Sequence, residues 1–370
     1  MENYNLIKIK PCDNTFFGDG NRFDFGISNV LKSKNEPYPS VFYGAIFSAL
    51  LANDEGLMKE FQRCKNTIEN ITKLQENTLE IDQIYLYDED NNGVYIKSPL
   101  DIFISDNGEK VMGKFIKNKG RNCFKIFDYM MCTPTDTTYK RANKYYMDIC
   151  DKFKSYKNEL GIAIRLVHED RIFKKNIKVG ISIDDTTNTT TQGMLYRIEQ
   201  TEFVNNKWSY LVQYKLKDNT IKELDQGFLK LGGENKVCKY ESISENCINE
   251  IIKENFMEEK NKNKKIKGRI KIILTTDTYF KESLKSLFEK NGLKILGISN
   301  DKPIYIGGYD MVSKNGKGGI RKMYKGYSAG TVILAELCEK KESTLNDIYK
   351  LVLDKNIKGF NKSIIFEEEI

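Results

Sequence analysis

Twice in this sequence a strand, a helix and two further strands follow one another, once near each end, and that recurring order narrows the folds open to the chain. In the first run, "NYNLIKIKPC" alternates into a strand that Pro11 closes, and "EPYPSVFYGAIFSALLAND" starts a helix at Pro39 and Ser40. Val41, Phe42, Ala45, Ile46, Ala49 and Leu50 lie along one stripe of that helix, the spacing expected of a face packed on a sheet. "LEIDQIYLYDEDNNGVYIKSPLDIFIS" reads as strand, turn, strand, with the turn at Asp90–Gly93 and Pro99 ending the pairing. In the second run "IKIILTTD" is a strand, "YFKESLKSLFEKNG" a helix ending at Gly292, and "LKILGISN" and "PIYIGGYD" are strands. The class predicted is α+β: two ferredoxin-like, RRM-like domains with a projecting β-hairpin and helical insertions.

The hairpin is expected in "KVGISIDDTTNTTTQGMLYRIE", Lys178 to Glu199, whose arms alternate about a polar tip. "KWSYLVQYKL" is a further strand, and "FLKLGGENKVCKYESI" runs from one strand through Gly232 and Gly233 into another. Helices are expected over "TYKRANKYYMDICDKFKSYKN" and over "STLNDIYKLVLD", the latter capped by Ser343 or Thr344. "KENFMEEKNKNKKIKGR" carries charge without an apolar stripe after Met257, so the boundary is set there. The domains expected are 1–252 with the insertions and hairpin, a basic linker 253–269, and 270–370.

The 370 residues suffice for two such domains, and a net charge of +7 permits an anionic partner such as RNA. Eight cysteines stand far apart with a single histidine among them, which speaks against a zinc site; they read as reduced core residues. No signal peptide opens the chain and no apolar run approaches transmembrane length, so a cytoplasmic protein without a membrane partner is expected.

Several chemical motifs fail on spacing. "NGKGG" suggests a phosphate-binding P-loop, but Met311 and Gly318 stand where glycine and a hydroxyl are required. "FFGDGNRFDFG" resembles a calcium loop only until Phe23, which occupies the third ligand position. His168, in "RLVHEDRIF", could act as a general base in metal-independent RNA cleavage, but no other catalytic motif accompanies it. What remains is three glycine-bearing loops with basic neighbours, Gly18–Arg22, Gly232–Lys239 and Gly307–Lys325. Backbone N–H groups in such loops can hold phosphates, and the lysines and arginines add charge. The loop residues expected to meet RNA are Gly18, Gly20, Asn21, Arg22, Gly232, Gly233, Lys236, Lys314, Lys317, Arg321, Lys322 and Lys325. Phe16 and Phe23 are expected to pack, pinning their loop to the core.

In collinear order, "PCDNTFFGDGNRFDFG", "PYPSVFYGAI", "VGISIDDTTNTTTQGMLY", "LGGEN" and "IGGYDMV…YSAGTV" resemble subunit three of the Cmr complex, the type III-B CRISPR RNA-guided effector. The resemblance implies a RAMP protein that caps the 5′ repeat-derived handle of the CRISPR RNA. Its neighbours would be the large polymerase-like subunit and the first backbone RAMP subunit, with target RNA met indirectly. It implies no catalytic residue, no cofactor and no metal. The hairpin would lie over the guide and displace a base, which points to Asp184, Thr187, Thr190, Gln192 and Gly193. The sequence departs from the family pattern where Gly18 and Asn21 replace arginines, Arg22 a proline, Phe47 an arginine, Tyr309 a tryptophan and Ser328 a proline. These departures move the expected handle contacts toward Arg22, Lys34 and the third loop. The alternative activity is a metal-independent RAMP endoribonuclease that cuts CRISPR precursor RNA with His168 as base; a type III-A cap would differ only in its partners.

Overall fold

The computed structural model describes residues 4–18, 30–64, 67–118, 127–133, 138–149, 164–183, 186–187, 189–243, 248, 250, 252, 265–266, 268–307, 309–310, 319–320, 322–338, 343–344, 348 and 356–368. Strands predominate: among the described residues four α-helices accompany several sheets, nearly all antiparallel, a mixed architecture consistent with the α+β class. Packing divides the chain into two compact units, one of 1–81 with 169–243, the other of 82–168 with 244–370. Each unit draws on two separate stretches, so this division runs through the chain differently from the sequential segments 1–252 and 270–370. Most of the expected linker, 253–264 and 267, lies outside the described residues.

In the first unit, the strands Trp208–Leu216, Asn5–Pro11, Val237–Ser242 and Gln226–Lys230 lie side by side in that order. Ile7 and Ile9 are fully buried, as the alternation in "NLIKIKP" requires of a strand with one face in the core. The helix Pro39–Asn53 begins with Pro39 in its first turn, where a missing N–H costs nothing, and no side chain caps it. Its burial is wider than one stripe: Tyr43 and Phe47 are buried with Phe42, Ile46 and Leu50. Phe47 is a core residue set between Tyr43 and Phe61, with ring centroids 6.4 and 6.2 Å away. Helices Glu55–Cys64 and Ile68–Thr78 follow.

The hairpin is longer than expected. Its arms are Phe173–Ile183 and Thr190–Phe203, paired from Phe173 with Phe203 to Ile183 with Thr190, with an irregularity between Ile181 and Ile183. The short strand Val30–Leu31 adds in parallel to Arg197 and Ile198.

In the second unit, Leu293–Ser299, Val332–Leu337, Arg269–Leu274 and Ser363–Glu368 form one antiparallel sheet in that order. Ile270, Ile272 and Leu274 face a core completed by Leu284 and Phe288 of the helix Leu284–Lys290. The Ser283 hydroxyl accepts from the Ser286 N–H at 3.1 Å and caps that helix, and Gly292 at φ 77° lets the chain turn after it. Gly330, in "YSAGTV", sits at φ 88°, and a Cβ there would stand 2.4 Å from the Ser98 carbonyl oxygen.

One expected helix and one expected helix cap are corrected. Over 139–148 the chain forms strands Tyr139–Arg141 and Tyr145–Asp148, the second paired on both sides, with Gly93–Lys97 and Leu166–His168. Tyr146 and Met147 are both buried there, and a tyrosine-rich stretch in the middle of a sheet is a better strand than helix. Residues 150–158 of that expectation lie outside the described residues. Ser343 and Thr344 are not a helix cap but a short strand on Lys265–Ile266; of "LNDIYKLVLD" only Ile348 is described, helical and buried.

Candidate functional site

The second glycine loop and the start of the first meet in the first unit, although 213 residues or more of chain separate them in sequence, and the root of the hairpin joins them. After Pro11 the Cys12 N–H donates to the Val237 carbonyl at 3.0 Å, and Thr15 and Thr201 exchange backbone hydrogen bonds of 2.8 and 2.7 Å. The Phe17 N–H donates to the Ser33 hydroxyl at 3.0 Å, the Phe17 carbonyl accepts from the Lys34 N–H at 2.8 Å, and Gly18 bridges to Ser33. Phe17 itself is buried against Tyr210 at a centroid distance of 6.5 Å. Phe42 and Phe203 also pack on Tyr210, at 5.2 and 5.0 Å, and Phe173 stacks on Phe203 at 5.3 Å. One aromatic cluster therefore anchors the glycine loop, the helix Pro39–Asn53 and the base of the hairpin together. Burial holds the Tyr210 phenol well above its ordinary pKa, and its hydroxyl donates to the Asn35 carbonyl at 3.1 Å.

The loop between Gln226–Lys230 and Val237–Ser242 closes over Phe16. The Gly233 N–H donates to the Phe16 carbonyl at 2.9 Å, and a Cβ on Gly232 would lie 2.7 Å from that same oxygen. Gly232 also takes φ 83°, with Glu234 and Asn235 at 57° and 54° in the same turn. Only glycine meets both demands at 232. The Gln200 side-chain amide, from the hairpin arm, donates to the Glu234 carboxylate at 2.8 Å.

Cations surround this junction. Lys34 stands 3.4 Å above the Tyr38 ring. Lys236 pairs with Asp13 at 3.0 Å, and its hydrogen bond is the main reason the Asp13 carboxyl lies below its ordinary pKa. Lys175 lies under the junction: its ammonium donates to the Ser33 carbonyl and to the Thr201 hydroxyl, and pairs with Glu199 at 3.5 Å. Burial lowers the Lys175 pKa, a pull that Glu199 opposes without cancelling.

Of the residues expected to meet RNA, the structure thus gathers Gly18, Lys34, Gly232, Gly233 and Lys236. Gly20, Asn21 and Arg22 lie outside the described residues, as do Phe23, Lys314, Lys317 and Arg321. Lys322 and Lys325 belong to the second unit, Lys322 5.4 Å from the Tyr324 ring and Lys325 exposed on the strand Tyr324–Tyr327. At the hairpin tip, Thr187 is exposed and shares a 2.8 Å hydrogen bond with Thr189; Thr190, Gln192 and Gly193 lie on the returning arm, and Asp184 is outside the described residues. His168 is in the second unit, paired across to Tyr145 with its ring edge-on at 4.8 Å. Thr15, Ser33, Lys175, Gln200 and Thr201 had no local signal: each acquires its role through a partner far along the chain, as Lys175 does across 142 residues to Ser33.

The junction thus sets turn glycines and Lys34, Lys175 and Lys236 on an anchored aromatic base, its named backbone amides being taken up by hydrogen bonds between the segments. The sequence matches the family of the CRISPR-associated protein (Cas_Cmr3) over residues 7–368, and the chain belongs to that family. No curated protein matches it. Among solved structures, the chain is similar to one from a cryo-EM structure of the type III-B Cmr-beta bound to cognate target RNA and AMPPnP, with 14% identity, 89% of this chain and 86% of that one covered, and a TM-score of 0.48. A second, of Cmr-beta bound to cognate target RNA, has 15% identity, the same coverage and a TM-score of 0.46. A third, of Cmr-beta in the apo state, has 12% identity over 65% of this chain and 98% of that one, with a TM-score of 0.29.

Proposed function

We propose that this chain is the noncatalytic subunit of a type III-B CRISPR effector that holds the 5′ handle of the CRISPR RNA at the junction of its two glycine loops and its hairpin. The observation that carries the reading is that junction: in a member of this family, "FFG", Lys34 and "LGGENK" converge on one another and on the root of the hairpin. Phosphates of the handle meet the loop backbone and the lysines, and the hairpin reaches over the guide. The neighbours are the large polymerase-like subunit and the first backbone RAMP subunit, with target RNA met through the guide, in a soluble cytoplasmic ribonucleoprotein. A ferredoxin-like reading of the second unit is supported by its strand order, in which Arg269–Leu274 lies between Val332–Leu337 and Ser363–Glu368, with Leu293–Ser299 outside the former. The contact with a neighbouring protein is supported by one face of the outgoing arm, where Ile177, Val179, Ile181 and Ile183 are all at least half exposed.

The purified chain incubated with repeat RNA should bind it and leave it intact, and the assembled complex carrying His168→Ala should cleave target RNA at the wild-type rate. A discrete cut by the chain alone, abolished by His168→Ala, would establish the endoribonuclease instead.

A further inference from the structure

The hairpin that supplies Gly232 and Gly233 has a second surface with no part in the junction. Gln226–Lys230 is an outermost strand, with Gly227 and Leu229 turned toward the core side, Gly227 against the Tyr240 ring and Leu229 buried. Phe228 points the opposite way. It is 69% exposed, and none of the described large apolar side chains is more exposed. The register sets Lys239 directly beside Phe228 and Lys10 directly beside Lys239, so an aromatic ring and two lysines lie in one row across three strands. Strand spacing puts successive members of the row about 5 Å apart. Lys230 and the 42% exposed Val237 form the next row on the same face. Glu241 pairs with Lys239 at 3.4 Å and with Lys8 at 2.5 Å, and Lys10 donates to the Asn206 carbonyl.

We infer that this face is a stacking platform for single-stranded RNA, with a nucleobase on Phe228 and the flanking phosphates on Lys230 and Lys239. A lone exposed ring among lysines is poorly suited to the core of a protein interface, from which lysine is depleted, and well suited to a base with its phosphates. Because the platform lies on the arms whose turn holds the first glycine loop, RNA bound at the junction can continue onto it. The inference rests on the RNA-binding reading but uses a different surface and a different kind of contact.

The full chain is titrated against a fluorescein-labelled single-stranded RNA of about 12 nucleotides at fixed salt, with affinity read by anisotropy. Phe228→Ala should weaken binding about tenfold without changing the salt slope, since stacking releases no counterions. Lys239→Ala should lower the slope by about one unit. Phe228→Trp should bind as the wild type does, and its exposed indole should be quenched by RNA; the native Trp208 is buried. If the wild type binds and Phe228→Ala binds equally well, the platform is refuted while the junction reading stands. If the wild type binds no RNA, both readings fail. Loss of a protein partner from the complex on Phe228→Ala, with RNA affinity unchanged, would make this face a protein contact and overturn the inference.

Discussion

Gly232 has no tolerable substitute. Alanine there would need a left-handed backbone at φ 83° and would place its Cβ 2.7 Å from the Phe16 carbonyl oxygen. The conformational cost alone is about 1–2 kcal/mol, and the contact adds to it by pushing the loop away from Phe16. Gly232→Ala should therefore lower stability by at least about 1 kcal/mol in urea unfolding and weaken handle binding beyond that of Gly233→Ala, whose nearest contact is a ring carbon 3.0 Å away. Equal effects at the two positions would mean that the turn is not held by this contact. In the second unit, Lys271 is nearly buried between Asp101 at 3.5 Å and Glu368 at 3.2 Å. Burial alone would depress its pKa, but the two carboxylates outweigh that and leave it raised. The sign follows: the ion pairs contribute fully below the ordinary lysine pKa, and their contribution is lost as pH rises through the raised folded value. Lys271→Met leaves Asp101 buried without this partner and should cost about 3 kcal/mol at neutral pH. Its stability should also fall less steeply than the wild type's above about pH 10.4. Parallel curves in that range would show that the pairs contribute nothing.

Among elements, the hairpin was the most legible feature of the site and the helices were the least. Alternation on both sides of "DDTTNTTTQG" marked the arms, because successive side chains of a strand point to opposite faces. Their true length depends on Phe173, Phe203 and Tyr210, which pack in three dimensions and extend the pairing below Lys178. The apolar side chains at 177, 179, 181 and 183 share one face by the two-residue period of a strand, and exposed they are a liability unless another chain covers them. Replacing Ile177, Val179 and Ile181 together by Thr retains β-branching, so the melting temperature of the isolated chain should stay within a few degrees while its incorporation into the complex falls at least about tenfold. Co-purification from a reconstituted complex measures this, and undiminished incorporation would mean that the stripe is not the docking face. The helix expected over 138–158 fails across 139–148 for the converse reason. Its lysines imitate a solvated helical face, while the deciding residues, Tyr146 and Met147, are buried by strands on either side.

For the molecule as a whole, a surplus of seven positive charges predicts that the proposed binding to an RNA handle will show a measurable salt slope. Lys317, Arg321 and Lys322 changed together to Ala should flatten that slope by up to about three units if each meets a phosphate. An unaltered slope would assign them to solvent and leave the handle to the junction of the first unit. The two tests address different units, so a loss in either can be traced to its own set of loops.

Strand periodicity, proline and glycine punctuation and the collinear loop motifs all lie within a few residues of the atoms they govern, and from these the sequence alone determined the α+β class, the hairpin and the family. The pairing of Thr15 with Thr201 and the placement of Lys175 beneath Ser33 depend on contacts between segments far apart in the chain. The same holds for the outward turn of Phe228, which follows from Gly227 and Leu229 being taken up by the core. Local patterns cannot specify such contacts, because the free energy that selects them comes from surfaces brought together only once the chain has folded. Only the tertiary structure decided which glycine loop meets which, and on which side the exposed ring stands.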